Sequence, residues 1–202
     1  MNIRWKKCAA PRRSIKALPA EIELACGLFF CLFLFVLLVV QMELFRYHTS
    51  ALYLEDALAA SGLAAAVVDL EEYGLTNEII IRDRENCYEQ YEQALCRNLG
   101  LDEQWQSGNE QLIAGNVKLE RFIIYNVSFG GSYCEERDAR GNWNVQQAPG
   151  DGMYAPNGRL VEQTGVYGEV SYDVKGFLGI RLRARKGVLV DVVSDNWKGE
   201  RE

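Results

Sequence analysis

The chain has 202 residues, with 28 Asp and Glu against 22 Lys and Arg, a formal net charge of −6 and a single histidine, His48. Its bases are gathered at the start: residues 1–20 hold Arg4, Lys6, Lys7, Arg12, Arg13 and Lys16 and no acid, so from Glu21 onward 28 acids face 16 bases, a net charge of −12. Without a basic excess to neutralise phosphates, nucleic acid is a poor partner. One histidine and no C-x-x-C leave zinc without a ligand set.

Leu24–Val40 is an uncharged apolar run of 17 residues, LACGLFFCLFLFVLLVV, which Ile22 and Met42 can extend. A bilayer-spanning helix needs about 20 apolar residues, with a lower limit of roughly 17. A signal peptide also begins with a basic stretch and an apolar core, but its core is usually about 7–15 residues and ends in small residues of A-x-A type. Here Gln41, Met42, Glu43, Leu44 and Phe45 follow, which favours a retained anchor. The basic flank places the N-terminus in the cytoplasm and residues from about 43 onward outside. Glu21 and Glu23 border the run, where a carboxylate is either an interfacial charge near a helix N-terminus or a group that pairs during assembly.

After the run, Leu44, Tyr47, Ala51, Leu54, Leu58, Ser61, Ala65 and Val68 alternate at spacings of three and four, with no proline and only Gly62 as an interior glycine. The pattern predicts an amphipathic or coiled-coil-like continuation. One helix from Glu21 to Tyr73, with Gly74 as its C-cap, is expected to span about 80 Å, of which the membrane takes about 30 Å. The remainder must pack against the protein's own sheet or against other copies of such helices. His48, Glu55 and Asp69 fall on another face.

The rest reads as a mixed head. Glu78–Arg82 (EIIIR) is expected as a short strand, and Tyr88, Tyr91, Leu95 and Leu99 predict a helix over Arg84–Leu99, ended by Gly100. From Leu112 strands are expected: VKLERFIIYNVSF, GSYCEER, a turn at Asp138–Gly141, then NWNVQ. A Gly-, Pro- and Asn-rich loop covers 148–158. GVYGEVSYDV, FLGIRLRAR and GVLVDVV follow, separated by Lys175-Gly176 and Lys186-Gly187, a spacing that suggests an antiparallel meander. Arg181, Arg183, Arg185 and Lys186 read as one exposed or salt-bridged strand face, and a docking surface for an acidic partner is the weaker alternative.

Cys26 and Cys31 lie within the apolar run and Cys8 in the leader. Cys87 and Cys96 are nine residues apart on one helix, about 13 Å of rise, too far to bridge while the helix is intact. Cys134 joined to one of them, or three free thiols, are the two readings. No P-loop, G-x-S-x-G or dinucleotide fingerprint occurs, and paired acids such as Glu71-Glu72 and Glu135-Glu136 read as solvated faces. No cofactor, metal or catalytic residue is expected.

A basic leader, a Glu at the start of an apolar helix, and a helix that continues as a spine into an acidic α+β head together resemble type IV pilin-like proteins. More narrowly, AEIELACGLFFCLFLF followed by YHTSALYLEDALAASGLAAAVVDLEEYG resembles the TadE/TadF-like minor pilins of Tad/Flp-type pilus loci, most specifically over residues 20–74. The resemblance implies a non-enzymatic pseudopilin whose partners are the lipid bilayer and other pilins. Glu23 or Glu21 would match the pilin glutamate that pairs with the N-terminal amine of a neighbouring subunit. Processed pilins usually carry Gly before the cleavage point, whereas Lys16, Ala17, Leu18 and Pro19 stand here. The expected fold is α+β: a long membrane-spanning spine helix, then an antiparallel β-sheet head with one additional helix. The expected organisation is a cytoplasmic leader 1–20, a transmembrane helix 21–42, a helical stalk 43–74 and a head 75–202. The assembly candidates are Glu23, Glu21, Leu44, Leu54, Leu58 and Val68. The competing reading is a standalone membrane-anchored ligand-binding or sensory module.

Overall fold

The computed structural model describes residues 20–108, 112–128, 131–138, 140–148, 152–176 and 179–192. The leader's bases and Cys8, and turn residues such as Gly130 and Gly150, lie outside the described residues. The fold is α+β, with one long apolar N-terminal helix and an antiparallel sheet. The described residues fall into two units, one up to Gln41 and one from Met42 onward.

Helix α1 covers Ala20–Ala65, with Glu21 and Glu23 in its first turn. Within the first unit every residue from Ala20 to Leu38 is exposed. Among the described residues α1 is the one helix long and apolar enough to cross a membrane.

The helix ends eight residues before the expected Tyr73. Two β-branched residues, Val67 and Val68, lose side-chain freedom in a helix, and Asp69 offers the chain a new start. Its carboxylate accepts from the backbone N–H of Glu71 at 3.0 Å and Glu72 at 3.1 Å, capping a separate helix α2, Leu70–Thr76. Gly74 therefore lies inside α2, and Asn77, at φ 58°, is the C-cap. Helix α3, Arg84–Leu99, falls where its periodicity placed it: Asp83 caps its start and Gly100, at φ 60°, closes it. Among the described residues two helices thus follow α1, where one was expected.

The strands are β1 (Ala114–Ser128), β2 (Gly131–Arg137), β3 (Trp143–Gln147), β4 (Met153–Tyr154), β5 (Leu160–Val161), β6 (Gly165–Lys175) and β7 (Arg181–Asp191). Five of them form one sheet in the order β3-β2-β1-β6-β7, and all its pairings are antiparallel. It is a three-stranded meander, β1-β2-β3, joined to the β6-β7 hairpin by the pairing of β1 with β6, and β4 and β5 make a separate hairpin. The expected break at Lys186-Gly187 is absent, since β7 runs through it. The glycine there has another purpose: a Cβ on Gly187 would overlap the Tyr167 hydroxyl, which lies against that point of the strand.

The pleat sends alternate side chains to opposite faces, and both faces are covered. Phe122, Ile124, Val166, Val170 and Tyr172 meet Leu54 and Leu58 of α1 and Tyr91 and Leu95 of α3 in the main core. Ile123, Tyr125, Tyr167 and Leu189 face the other way and are covered by Met153, Ala155 and Val161 of the hairpin region.

The expected strand Glu78–Arg82 forms no strand among the described residues. Its polar backbone is satisfied piecemeal instead. Ile81 N–H donates to Asn126 Oδ1 at 2.8 Å, and Asn126 Nδ2 donates back to the Ile81 carbonyl at 3.1 Å. Thr164 Oγ1 donates to the Ile79 carbonyl at 2.6 Å, and Asp69 N–H donates to the Ile80 carbonyl at 3.0 Å.

Candidate functional site

The assembly candidates separate into three groups. Glu21 and Glu23 stand exposed in the first turn of α1. Leu54 and Leu58 are buried at 0 % and 1 % exposure, inside the head's own core. Leu44 is exposed, at 65 %, and Val68 lies in the link between α1 and α2, outside either helix. The eight-residue seam is therefore not one packing face. The buried face is Ser50, Leu54, Ala57, Leu58, Ser61, Gly62 and Ala65. It includes polar groups that a count of apolar positions passes over. Ser50 Oγ donates to the Leu112 carbonyl at 2.7 Å, and Ser61 Oγ donates to the Ala57 carbonyl and accepts from Asn98 Nδ2.

Consecutive helical residues are turned by about 100°, so Phe45, Leu52 and Leu63 share one stripe of α1, roughly opposite the buried face. They are 72 %, 46 % and 64 % exposed. Their spacings of seven and eleven residues place them within about 20° of one another. The heptad reading followed the inner face, and this outer stripe was missed because Asp56 and His48 interrupt it with polar residues.

A second feature lies on the head. A cleft of about 410 Å³ runs between β1 at Lys118–Phe122 and the turn after β2. Tyr88 of α3 forms part of its wall, with the Arg137 guanidinium 3.8 Å from the centre of its ring. Glu85 fixes that arrangement, accepting from Arg137 at 3.1 Å and from Trp143 Nε1 at 2.7 Å. Beneath them Tyr88, Tyr91 and Trp143 pack around Phe122 with ring centres 5.0–6.2 Å apart. The Tyr88 hydroxyl is shifted up by burial and by Glu92, against the pull of Arg137. Asp138 holds the turn, accepting from the backbone N–H groups of Arg140 and Asn142, each at 2.8 Å, and from Asn142 Nδ2 at 3.2 Å. Those bonds, the one from the Asn142 backbone foremost, hold its carboxyl below the usual aspartate value. Glu120 is held down likewise, by bonds from Ser171 and then Lys118.

The thiols of Cys87, Cys96 and Cys134 are free. Cys87 belongs to the main core, whereas Cys134 packs with the hairpin on the other face of the sheet, and Cys134 bridges neither Cys87 nor Cys96. Burial, reinforced by Asp83, pushes the Cys87 thiol up to about 12. Cys96 and Cys134 are also raised, mainly by burial. Among the described residues no group of three or more His, Cys, Asp and Glu side chains converges as a metal site.

Of the strand-borne cations, Arg181, Arg183 and Arg185 are exposed on edge strand β7, and Arg183 pairs with Asp173 at 3.1 Å. Lys186 departs from the expected common face: an odd-numbered step in the pleat turns it toward α1, where its Nζ meets Glu55 at 2.7 Å. Compared with protein-family models, with curated proteins and with solved structures, the chain matches none.

Proposed function

We propose that this chain is a non-enzymatic, membrane-anchored subunit of a pilin-like assembly, a minor pilin or pseudopilin of the Tad/Flp type. Its N-terminus is cytoplasmic and its head lies outside the membrane. The observation that carries this reading is the division of labour along α1. Its first part is apolar and exposed from Ala20 to Leu38, as a lipid-facing segment is, and its last part contributes Leu54, Ala57, Leu58 and Ala65 to the core of the head. An apolar stripe of Phe45, Leu52 and Leu63 remains for contact with neighbouring subunits.

The non-enzymatic reading draws on how the polar groups are used. Asp138 and Glu120 are committed to structural hydrogen bonds, and the Cys87, Cys96 and Cys134 thiols are shifted away from the reactive thiolate. Glu23 adjoins the apolar run more closely than Glu21 and is the better carboxylate for pairing with a neighbour's cation, since an ion leaves water at tolerable cost only when it is paired.

The test compares Glu23→Gln with Glu21→Gln, following membrane fractionation and the recovery of the chain in purified surface filaments by mass spectrometry. Both variants should insert, and only Glu23→Gln should lose incorporation. Absence of the wild-type chain from filaments and from complexes with other pilins would refute the reading. In that case the standalone ligand-binding module, which the cleft favours, takes its place.

A further inference from the structure

Strand β1 is paired along one side with β6 from Ala114 to Tyr125. Its other side is shared. β2 takes Phe122–Ser128, and the loop before β1 takes the beginning, with Ser107 N–H donating to the Gly115 carbonyl at 3.3 Å and Val117 N–H to the Trp105 carbonyl at 2.9 Å. Between these two ladders, Lys118–Arg121 has no strand partner on that side among the described residues. The register with β6 also shifts between Leu119 and Arg121, a bulge that bends the strand at this point. The open stretch of edge is the floor of the cleft beside Tyr88 and Arg137.

The cleft's charge is opposite to that of the chain. Lys118, Arg121, Arg137 and Arg140 line it, against the acids Glu120 and Asp138. Both acids are already occupied: Glu120 by Ser171 Oγ at 2.7 Å and Lys118 Nζ at 2.9 Å, Asp138 by its own turn. The Arg140 guanidinium has no ion-pair partner among the described residues, and Arg121 reaches Glu136 only at 3.8 Å. Two exposed guanidinium groups therefore flank an unpaired strand edge, in a chain whose net charge is −6.

We propose that this cleft binds an extended, acidic peptide segment, which adds a short strand along Lys118–Arg121 and presents carboxylates to Arg121 and Arg140. Unpaired edges accept strands through main-chain hydrogen bonds, and neighbouring side chains set the selectivity. Four residues in this conformation cover about 13 Å, and arginine is suited to gripping carboxylates at the rim. The Arg137–Tyr88 stack, fixed by Glu85, keeps the wall in place without a ligand.

The experiment uses the full chain in detergent micelles and a fluorescent, end-capped hexapeptide of alternating Glu and Val, read by anisotropy. Saturable binding is expected, weakened about tenfold or more in Arg121→Gln/Arg140→Gln. Both side chains are exposed, so this variant should keep the wild-type circular dichroism and melting temperature. A hexapeptide N-methylated at alternate backbone positions should bind about tenfold more weakly, because it cannot extend the ladder. Free glutamate and inorganic phosphate at the same carboxylate or phosphate concentration should not compete. Undiminished binding to the double variant, equal binding of the N-methylated peptide, or displacement by phosphate would each overturn the proposal, as would the absence of binding.

Discussion

The Asn126 side-chain amide takes the place of a neighbouring strand for Ile81, accepting from its N–H at 2.8 Å and donating to its carbonyl at 3.1 Å. Both residues are buried, at 0 % and 2 % exposure, so no water substitutes. Asn126→Ala leaves a buried donor and acceptor unpaired, at about 1–3 kcal/mol each. It should destabilise the head by roughly 2–6 kcal/mol in urea denaturation, whereas the exposed Asn144→Ala should change stability by less than about 0.5 kcal/mol.

Tyr91 lies over Gly168, where a Cβ would overlap its hydroxyl. That hydroxyl is buried without a hydrogen-bond partner among the described residues. Removing it relieves a desolvated polar group, so Tyr91→Phe should be neutral or stabilising by about 1 kcal/mol. Gly168→Ala should cost roughly 1–3 kcal/mol through overpacking. The double variant should recover part of that loss, and thermal denaturation of all four proteins measures the coupling.

Acid should weaken the turn after β2 through Asp138. Its folded-state pKa lies below the ordinary value, so the stabilisation is fully present above about pH 4 and is lost as the pH falls through the lower, folded value. Asp138→Asn keeps the Oδ1 acceptor and does not titrate. The wild type's advantage over this variant in denaturant midpoint should therefore shrink as the pH drops from about 5 to about 2. A constant advantage over that range would show that the carboxylate charge does not hold the turn.

Two leucines of α1 separate folding from association. Leu58 is 1 % exposed and Leu63 is 64 % exposed. Leu58→Asp buries an unpaired charge and should cost the head roughly 4 kcal/mol or more. Leu63→Lys should leave the melting temperature within a few degrees of wild type, and Ala60→Asp, also exposed, should do the same. Of these two folded variants, only Leu63→Lys should reduce co-purification with other subunits.

Much of this architecture was legible in the residues, and the misses have local causes. The apolar run, helix α3 with its Gly100 cap and the antiparallel strands follow from periodicity and turn chemistry. The run FIIY at 122–125 is buried throughout, as expected of a strand covered on both faces. The helix break at Ala65 was hidden because Asp69 reads equally well as a polar position on a continuing helix. EIIIR has strand propensity, yet its hydrogen bonds go to Asn126, Thr164 and Asp69, which only the tertiary fold brings near. Lys186-Gly187 resembled a turn, although the glycine makes room for Tyr167. The cleft was beyond reach for the same reason. Arg137 and Arg140 sit 19 and 22 residues from Lys118, and neither the bulge after Leu119 nor the point where β2 stops is written in a local pattern.

The outer stripe of α1, Phe45, Leu52 and Leu63, is the contact that the proposed assembly requires. The most direct measurement places a photo-crosslinking amino acid at Leu63, and separately at the exposed Tyr154 of the hairpin, in chains held in native membranes. Irradiation at Leu63 is expected to give a discrete adduct with another pilin-like subunit or a second copy of this chain, identified by mass spectrometry, and Tyr154 is expected to give none. Equal yields from the two positions, or no adduct from Leu63 in membranes that contain the folded chain, would contradict the account.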